Sequence, residues 1–156
     1  MTTNVVPRSL LVILRLHLGA ILLITDAGKL FRDEPFRVEM LQFVNAMLRR
    51  RGFAWYQHFL RSAVLPHATA FSVLVMVGEL VAGICLLTGT MTRLGGVIAA
   101  VLFLNYMFAK GRWFLSSDSE DAAVFFSALV VMLGAAGRSF GVDVFLARRW
   151  PRALLW

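Results

Sequence analysis

The chain has 156 residues, 59% hydrophobic and 16% charged, with a mean hydropathy of +0.74 and a net charge of +7 carried by 14 Arg and 2 Lys. Soluble domains carry about a quarter charged residues, so this composition excludes an ordinary soluble domain and indicates an all-α polytopic membrane protein. The basic excess does not indicate nucleic acid, because no stacking aromatics alternate with the basic residues in a polar domain. The anionic headgroups of a lipid bilayer are the simpler counter-charge.

A spanning helix needs roughly 20 mostly apolar residues, and four segments qualify if their polar residues are accepted: Leu10–Leu30, Ala68–Thr88, Thr92–Ala109 and Asp121–Ala136. Too few residues remain for a separate soluble domain, so residues 1–156 are read as one membrane domain, a four-helix bundle. The first segment is not a cleaved signal peptide: its apolar core is too long and interrupted, and no small-residue cleavage site follows. After it, Asp33 is placed as an N-cap and Pro35 near the first turn of a new helix over residues 35–50. Phe36, Met40, Phe43, Val44, Met47 and Leu48 share one face of that helix, while Arg37, Gln42, Asn45 and Arg49 lie elsewhere. It is too polar to span and is expected in the membrane interface. A second short amphipathic piece, with Trp55, Tyr56 and Phe59 suited to headgroup depth, ends at Pro66.

Four spans put both termini on one side. Six Lys and Arg fall on that side and nine on the other, which by the raw rule would make the long first loop cytoplasmic. Three of the nine sit in one amphipathic helix, so this margin does not fix the orientation. Small residues recur on the later spans: Gly83 beside Glu79, Gly96 with Ala100, and Ala123, Ser127, Gly134 and Gly137 in one stripe. Such residues let helices approach closely in lipid.

The charges inside these spans are the candidate functional residues. Arg15, Gly19, Leu22, Asp26 and Lys29 share one side of the first helix, and His17 points nearly the opposite way. If both helices start level, Arg15 lies about 8 Å and Glu79 about 13 Å from the terminal side on the helical rise, a difference that an extended Arg side chain bridges. An intramembrane ionisable group is expected to face the bundle interior and to have a partner, so Arg15–Glu79 is the expected pair. Asp26 and Lys29, at i and i+3, can pair with each other near the opposite interface. The Arg15–Glu79 pair has two readings: a structural ion pair fixing helix one on helix two, or the lining of a polar pocket for a quinone headgroup or a proton relay. The Gly19 and Gly83 faces would leave space for that pocket.

Other chemistries find little support. The single cysteine, Cys85, cannot make an internal disulfide or a CxxC relay and reads as a packing residue. His17 and His67 differ in depth by roughly 20 Å and cannot be two axial ligands of one haem. His58 lies in the interfacial segment, no ligand spacing such as HxxxH occurs, and no metal site is expected. There is no Walker loop, GxSxG nucleophile or Rossmann fingerprint, and no catalytic residue is assigned.

Three stretches carry a family resemblance: RLHLG (residues 15–19) followed by GKL (residues 28–30), GELVAGICLLTGTMTR (residues 78–93) and GAAGRSFGVD (residues 134–143). Across most of its length the chain resembles the DoxX family of small four-helix membrane proteins. Glu79, Gly83, Leu86, Gly89, Thr92 and Arg93 fit the second family pattern. In the third, Ala136 stands where the family has Pro, and an extra residue separates Ser139 from Asp143. The resemblance implies association with quinone-linked sulfur oxidation, as in the small subunit of thiosulfate:quinone oxidoreductase, or with membrane redox and stress-response complexes. It implies a bacterial inner-membrane subunit with a quinone as cofactor at Arg15 and Glu79 and other membrane-complex subunits as partners. The alternative is an accessory structural subunit with no chemistry of its own. The chain carries no redox centre, so electron transfer would need a bound quinone and a partner protein.

Overall fold

The computed structural model describes residues 8–30, 35–116, 119–134, 136–138 and 140–150, and among them every regular element is helical. The helices are α1 (Arg8–Leu30), α2 (Phe36–Leu48), α3 (Ala54–Phe59), α4 (Ala68–Thr88), α5 (Thr92–Ala109), α6 (Glu120–Leu133) and α7 (Asp143–Arg149). A π-helical turn, Leu60–Val64, continues α3, closed by the Leu65 N–H donating to the Leu60 carbonyl five residues back at 2.9 Å. A 3-10 turn, Ala136–Arg138, follows α6.

Three of these helices are long and apolar enough to cross a membrane, with mean hydropathies of 2.0 over Arg8–Lys29, 2.3 over Ala68–Thr88 and 1.5 over Thr92–Ala109. The second and third coincide with the segments expected from hydropathy. The fourth expected span is shorter than foreseen: α6 has 14 residues and stops at Gly134, after which the chain tightens into the 3-10 turn. The helix expected over residues 35–50 is present as α2, with Met40, Val44 and Met47 buried and Arg37, Gln42, Asn45 and Arg49 exposed. The expected N-cap, Asp33, lies outside the described residues.

Two apolar clusters hold the molecule together. One joins Leu18 and Leu22 of α1, Ala82 and Leu86 of α4, Ala99 and Ala100 of α5, and Ala128 and Val131 of α6. The other joins Met40 and Val44 of α2 to Tyr56, Leu60 and Val64 and to Ala68 at the start of α4. Outward faces of α1, α4 and α5 expose Ile13, Ile24, Leu74, Ile84 and Val101, as expected where lipid is the solvent.

The α1–α4 contact is close because it is built on glycines. A Cβ on Gly19 would stand 2.7 Å from the Leu87 backbone nitrogen, and one on Gly83 would stand 2.7 Å from the Leu23 side chain. The space expected at Gly19 and Gly83 is therefore filled by the opposing helix. This contact also sets the register of the two helices: Gly19 lies level with Gly83 to Leu87, and Leu23 with Gly83. Arg15 is thereby carried to the end of α4, while Asp26 and Lys29 come alongside Glu79.

Candidate functional site

Glu79 lies nine residues from Thr88 and eleven from Ala68 on α4, so its carboxylate is near the middle of the helix, about 13–16 Å from either end. It is 2% exposed. A carboxylate there needs donors, because desolvation without compensation is expensive. Two supply it: the Lys29 ammonium of α1 donates to Oε2 and forms an ion pair, and the Tyr106 hydroxyl of α5 donates to Oε1 at 2.6 Å. Lys29 also lies over the Phe36 ring of α2, 4.5 Å from its centroid, a cation–π contact. Asp26, one helical turn before Lys29, is 1% exposed and lies within electrostatic reach of both Lys29 and Glu79. Its Oδ1 has no hydrogen-bond partner.

This polar corner opens onto a cavity of about 550 Å³ between α2, α3 with its π turn, α4 and α5. Most of its wall is apolar, including Met40, Phe59, Leu60, Val75 and Leu102, with Lys29, Glu79, Tyr106 and Asn105 among the polar groups. The size falls within the range of small-molecule sites, and so does the pattern of a largely apolar wall with a few convergent polar groups. On the side of α3, the Tyr56 hydroxyl donates to Asn105 Oδ1 at 2.9 Å, and Asn105 Nδ2 donates to the Val101 carbonyl at 2.7 Å. Burial pushes the Tyr56 phenol up to about 12, so it remains a donor through the neutral range. The π turn contributes Leu60 and Val64 to the wall. Such turns inside helices recur at functional sites.

Arg15 lies elsewhere. Its guanidinium is wedged against Gly89 and Gly141, where a Cβ would stand 2.0 Å and 2.6 Å from Nη1, and the carboxylate that acts on it electrostatically is Asp143. Nε and Nη1 have no hydrogen-bond partner. Asp143, fully buried at the start of α7, accepts the Met91 N–H at 2.6 Å and the Thr92 N–H at 2.9 Å. A distant carboxylate thus caps α5, supplying the acceptor that its first turn lacks. The turn that makes this possible carries Gly89 at φ +69° and Met91 at φ +49°.

The expected Arg15–Glu79 pair is therefore corrected: Glu79 is held by Lys29 and Tyr106, and Arg15 faces Asp143. The depth argument failed because it set both helices to start level, whereas α1 begins two turns beyond the end of α4. The expected Asp26–Lys29 pair is corrected too, since Lys29, in the last turn of α1, turns to Glu79 near the middle of α4. Of the two expected site residues, Glu79 lines the cavity and Arg15 does not. Tyr106 and Asn105 were missed. Their signal was present, as adjacent polar residues in the apolar run of α5, but which groups they face depends on helix register. Among the described residues, no three His, Cys, Asp or Glu side chains gather in a metal-binding arrangement.

No curated protein and no solved structure matches this chain. The DoxX family model does match, over residues 10–112. The matched stretch takes in α1, α4 and α5 with Lys29, Glu79 and Tyr106, and the chain belongs to the DoxX family of membrane proteins.

Proposed function

We propose that this protein holds a quinone in the cavity beside Glu79, as an integral subunit of a quinone-linked redox complex in a bacterial cytoplasmic membrane. The observation that carries this reading is the placement of Lys29, Glu79 and Tyr106 together on a largely apolar cavity of about 550 Å³. A quinone has an apolar ring and carbonyl acceptors. The ring suits the Phe59, Leu60 and Leu102 wall, and Lys29 has N–H groups beyond the one given to Glu79. When bound, such a group would supply reversible electron and proton carriage. The chain's own part is to orient the headgroup and keep water from it.

In this reading α6 is the fourth crossing and α2 lies in the interface. Two contacts support the crossing. Lys110 at the end of α5 pairs with Asp121 at the start of α6, with Nζ–O distances of 2.9 and 2.7 Å, and Leu11 near the start of α1 meets Gly134 at the far end of α6. The helix therefore runs beside α5 from one end of the bundle to the other. The one-sided burial of α2 supports its place in the interface.

Lipid extraction and mass spectrometry of purified protein, before and after adding back decylubiquinone, test the proposal. Wild type should retain quinone. Lys29→Met should lose it, and so should Val75→Phe, which narrows the cavity without touching the polar corner. A well-folded wild type that holds no quinone even after addition would leave the accessory-subunit reading, in which the bundle contributes only packing surface to a larger complex.

A further inference from the structure

Lys29 has two buried carboxylates within reach and uses one. Its ammonium pairs with Glu79, while Asp26 lies one turn away on the same helix, 1% exposed, with Oδ1 lacking any hydrogen-bond partner. Residues at i and i+3 are neighbours on a helix surface, and Lys29 is electrostatically coupled to Asp26 where it stands. A flexible four-carbon stem lets a lysine rotate between acceptors without moving its helix. A buried carboxylate oxygen left unpartnered costs free energy, so its retention asks for a state in which it is used.

We propose that Lys29 alternates between Glu79 and Asp26, and that Asp26 is the positioning residue that lets the cavity accept a hydroxyl-bearing aromatic headgroup, the reduced, hydroquinone form. With Lys29 on Glu79, the corner presents N–H donors, which suit carbonyl oxygens. With Lys29 on Asp26, Glu79 Oε2 is released as a charged acceptor for a ligand O–H, while Tyr106 continues to hold Oε1 and fixes the carboxylate's orientation. Asp26 lies across the α1–α4 contact from Glu79, so the exchange needs no helix movement. One site thus offers complementary hydrogen bonds to both oxidation states of one ring, and Asp26 governs only the second.

This inference rests on the quinone reading, and the experiment separates the two. Anaerobic titrations of the full-length protein in nanodiscs would measure the affinities of decylubiquinone and decylubiquinol separately, for wild type, Asp26→Asn and Asp26→Ser. Thermal unfolding of each sample would confirm the fold. Both variants remove the carboxylate charge that would draw Lys29 away from Glu79, while sparing Lys29, Glu79 and Tyr106. Affinity for the quinol should fall about tenfold, as for loss of a charge-assisted hydrogen bond, and affinity for the quinone should stay within about twofold. Equal losses for both forms, or no change in either, would overturn the exchange while leaving the quinone site standing. Failure of wild type to bind either probe would overturn the quinone site and the exchange with it.

Discussion

Asp143 and Arg15 show how a buried charge can serve architecture while another serves a cavity. Asp143 spends both carboxylate oxygens on the first N–H groups of α5 and faces the Arg15 guanidinium. Its own N–H donates to the Gly89 carbonyl at 2.8 Å. One residue of α7 therefore ties together α1, the α4–α5 turn and the start of α5. Asp143→Ala should destabilise by more than the roughly 1–2 kcal/mol of a lost helix cap, because it also leaves Arg15 buried without its counter-charge. A double-mutant cycle in detergent unfolding would show the coupling. Arg15→Leu with Asp143→Leu should lose less than the sum of the single changes, and Arg15→Leu with Glu79→Leu should be additive, since these two residues share no contact. Coupling of the second pair and additivity of the first would reverse the assignment. Arg15, Asp26, Lys29 and Glu79 were all legible in the sequence as charges that lipid does not tolerate without partners. Which partners they take was not, because that depends on helix register.

At the level of helices, the register of α1 against α4 decides which charges meet, and glycines set it. Gly19→Ala would place a methyl 2.7 Å from the Leu87 backbone, an atom that cannot rotate away. The helices would have to part or slide. Gly28, two and a half turns further on and so on the opposite face, has no atom of another element within 4 Å of where its Cβ would lie. Gly28→Ala should therefore be neutral or gain about 0.5–1 kcal/mol from helix propensity, whereas Gly19→Ala should lower stability and also weaken the Lys29–Glu79 pairing. Thermal unfolding of both variants, with quinone retention as the second readout, would check this. Equal behaviour of the two would show that the α1–α4 contact is loose. The sequence exposed this contact only as a pattern of small residues. Hydropathy gave the bounds of α4 and α5 because their ends coincide with a left-handed turn at Gly89 and with Lys110. It overran α6, where apolar residues continue past Gly134 but the backbone does not stay α-helical.

For the molecule as a whole, the number of times the chain crosses the bilayer can be put to a measurement. Three helices have the length and apolarity to cross, and with three crossings Arg8 and α7 would face opposite sides. With α6 as a fourth they face the same side. The second arrangement fits the packing: Asp143 of α7 caps α5 beside the α4–α5 turn, Arg15 reaches that same turn from α1, and Leu11 meets Gly134. At the other end of α5, Lys110 pairs with Asp121 at the start of α6, and Trp113 and Leu115, which follow α5, are exposed. Tryptophan favours the headgroup zone, so the four-crossing reading puts this end at the opposite interface. A helix of 14 residues rises only about 21 Å, short of an average hydrocarbon core, and local thinning of the bilayer or the turn that follows α6 must supply the difference. Single cysteines at Ser9, Arg148 and Leu115, in a Cys85→Ala background, should report the arrangement. A membrane-impermeant maleimide applied to sealed vesicles of one orientation should label the first two together and exclude the third, or the reverse. Labelling of Ser9→Cys and Arg148→Cys from opposite sides would remove the fourth crossing. The contact between Asp143 and the α4–α5 turn would then have to be wrong as well, because α7 could not reach that face of the membrane.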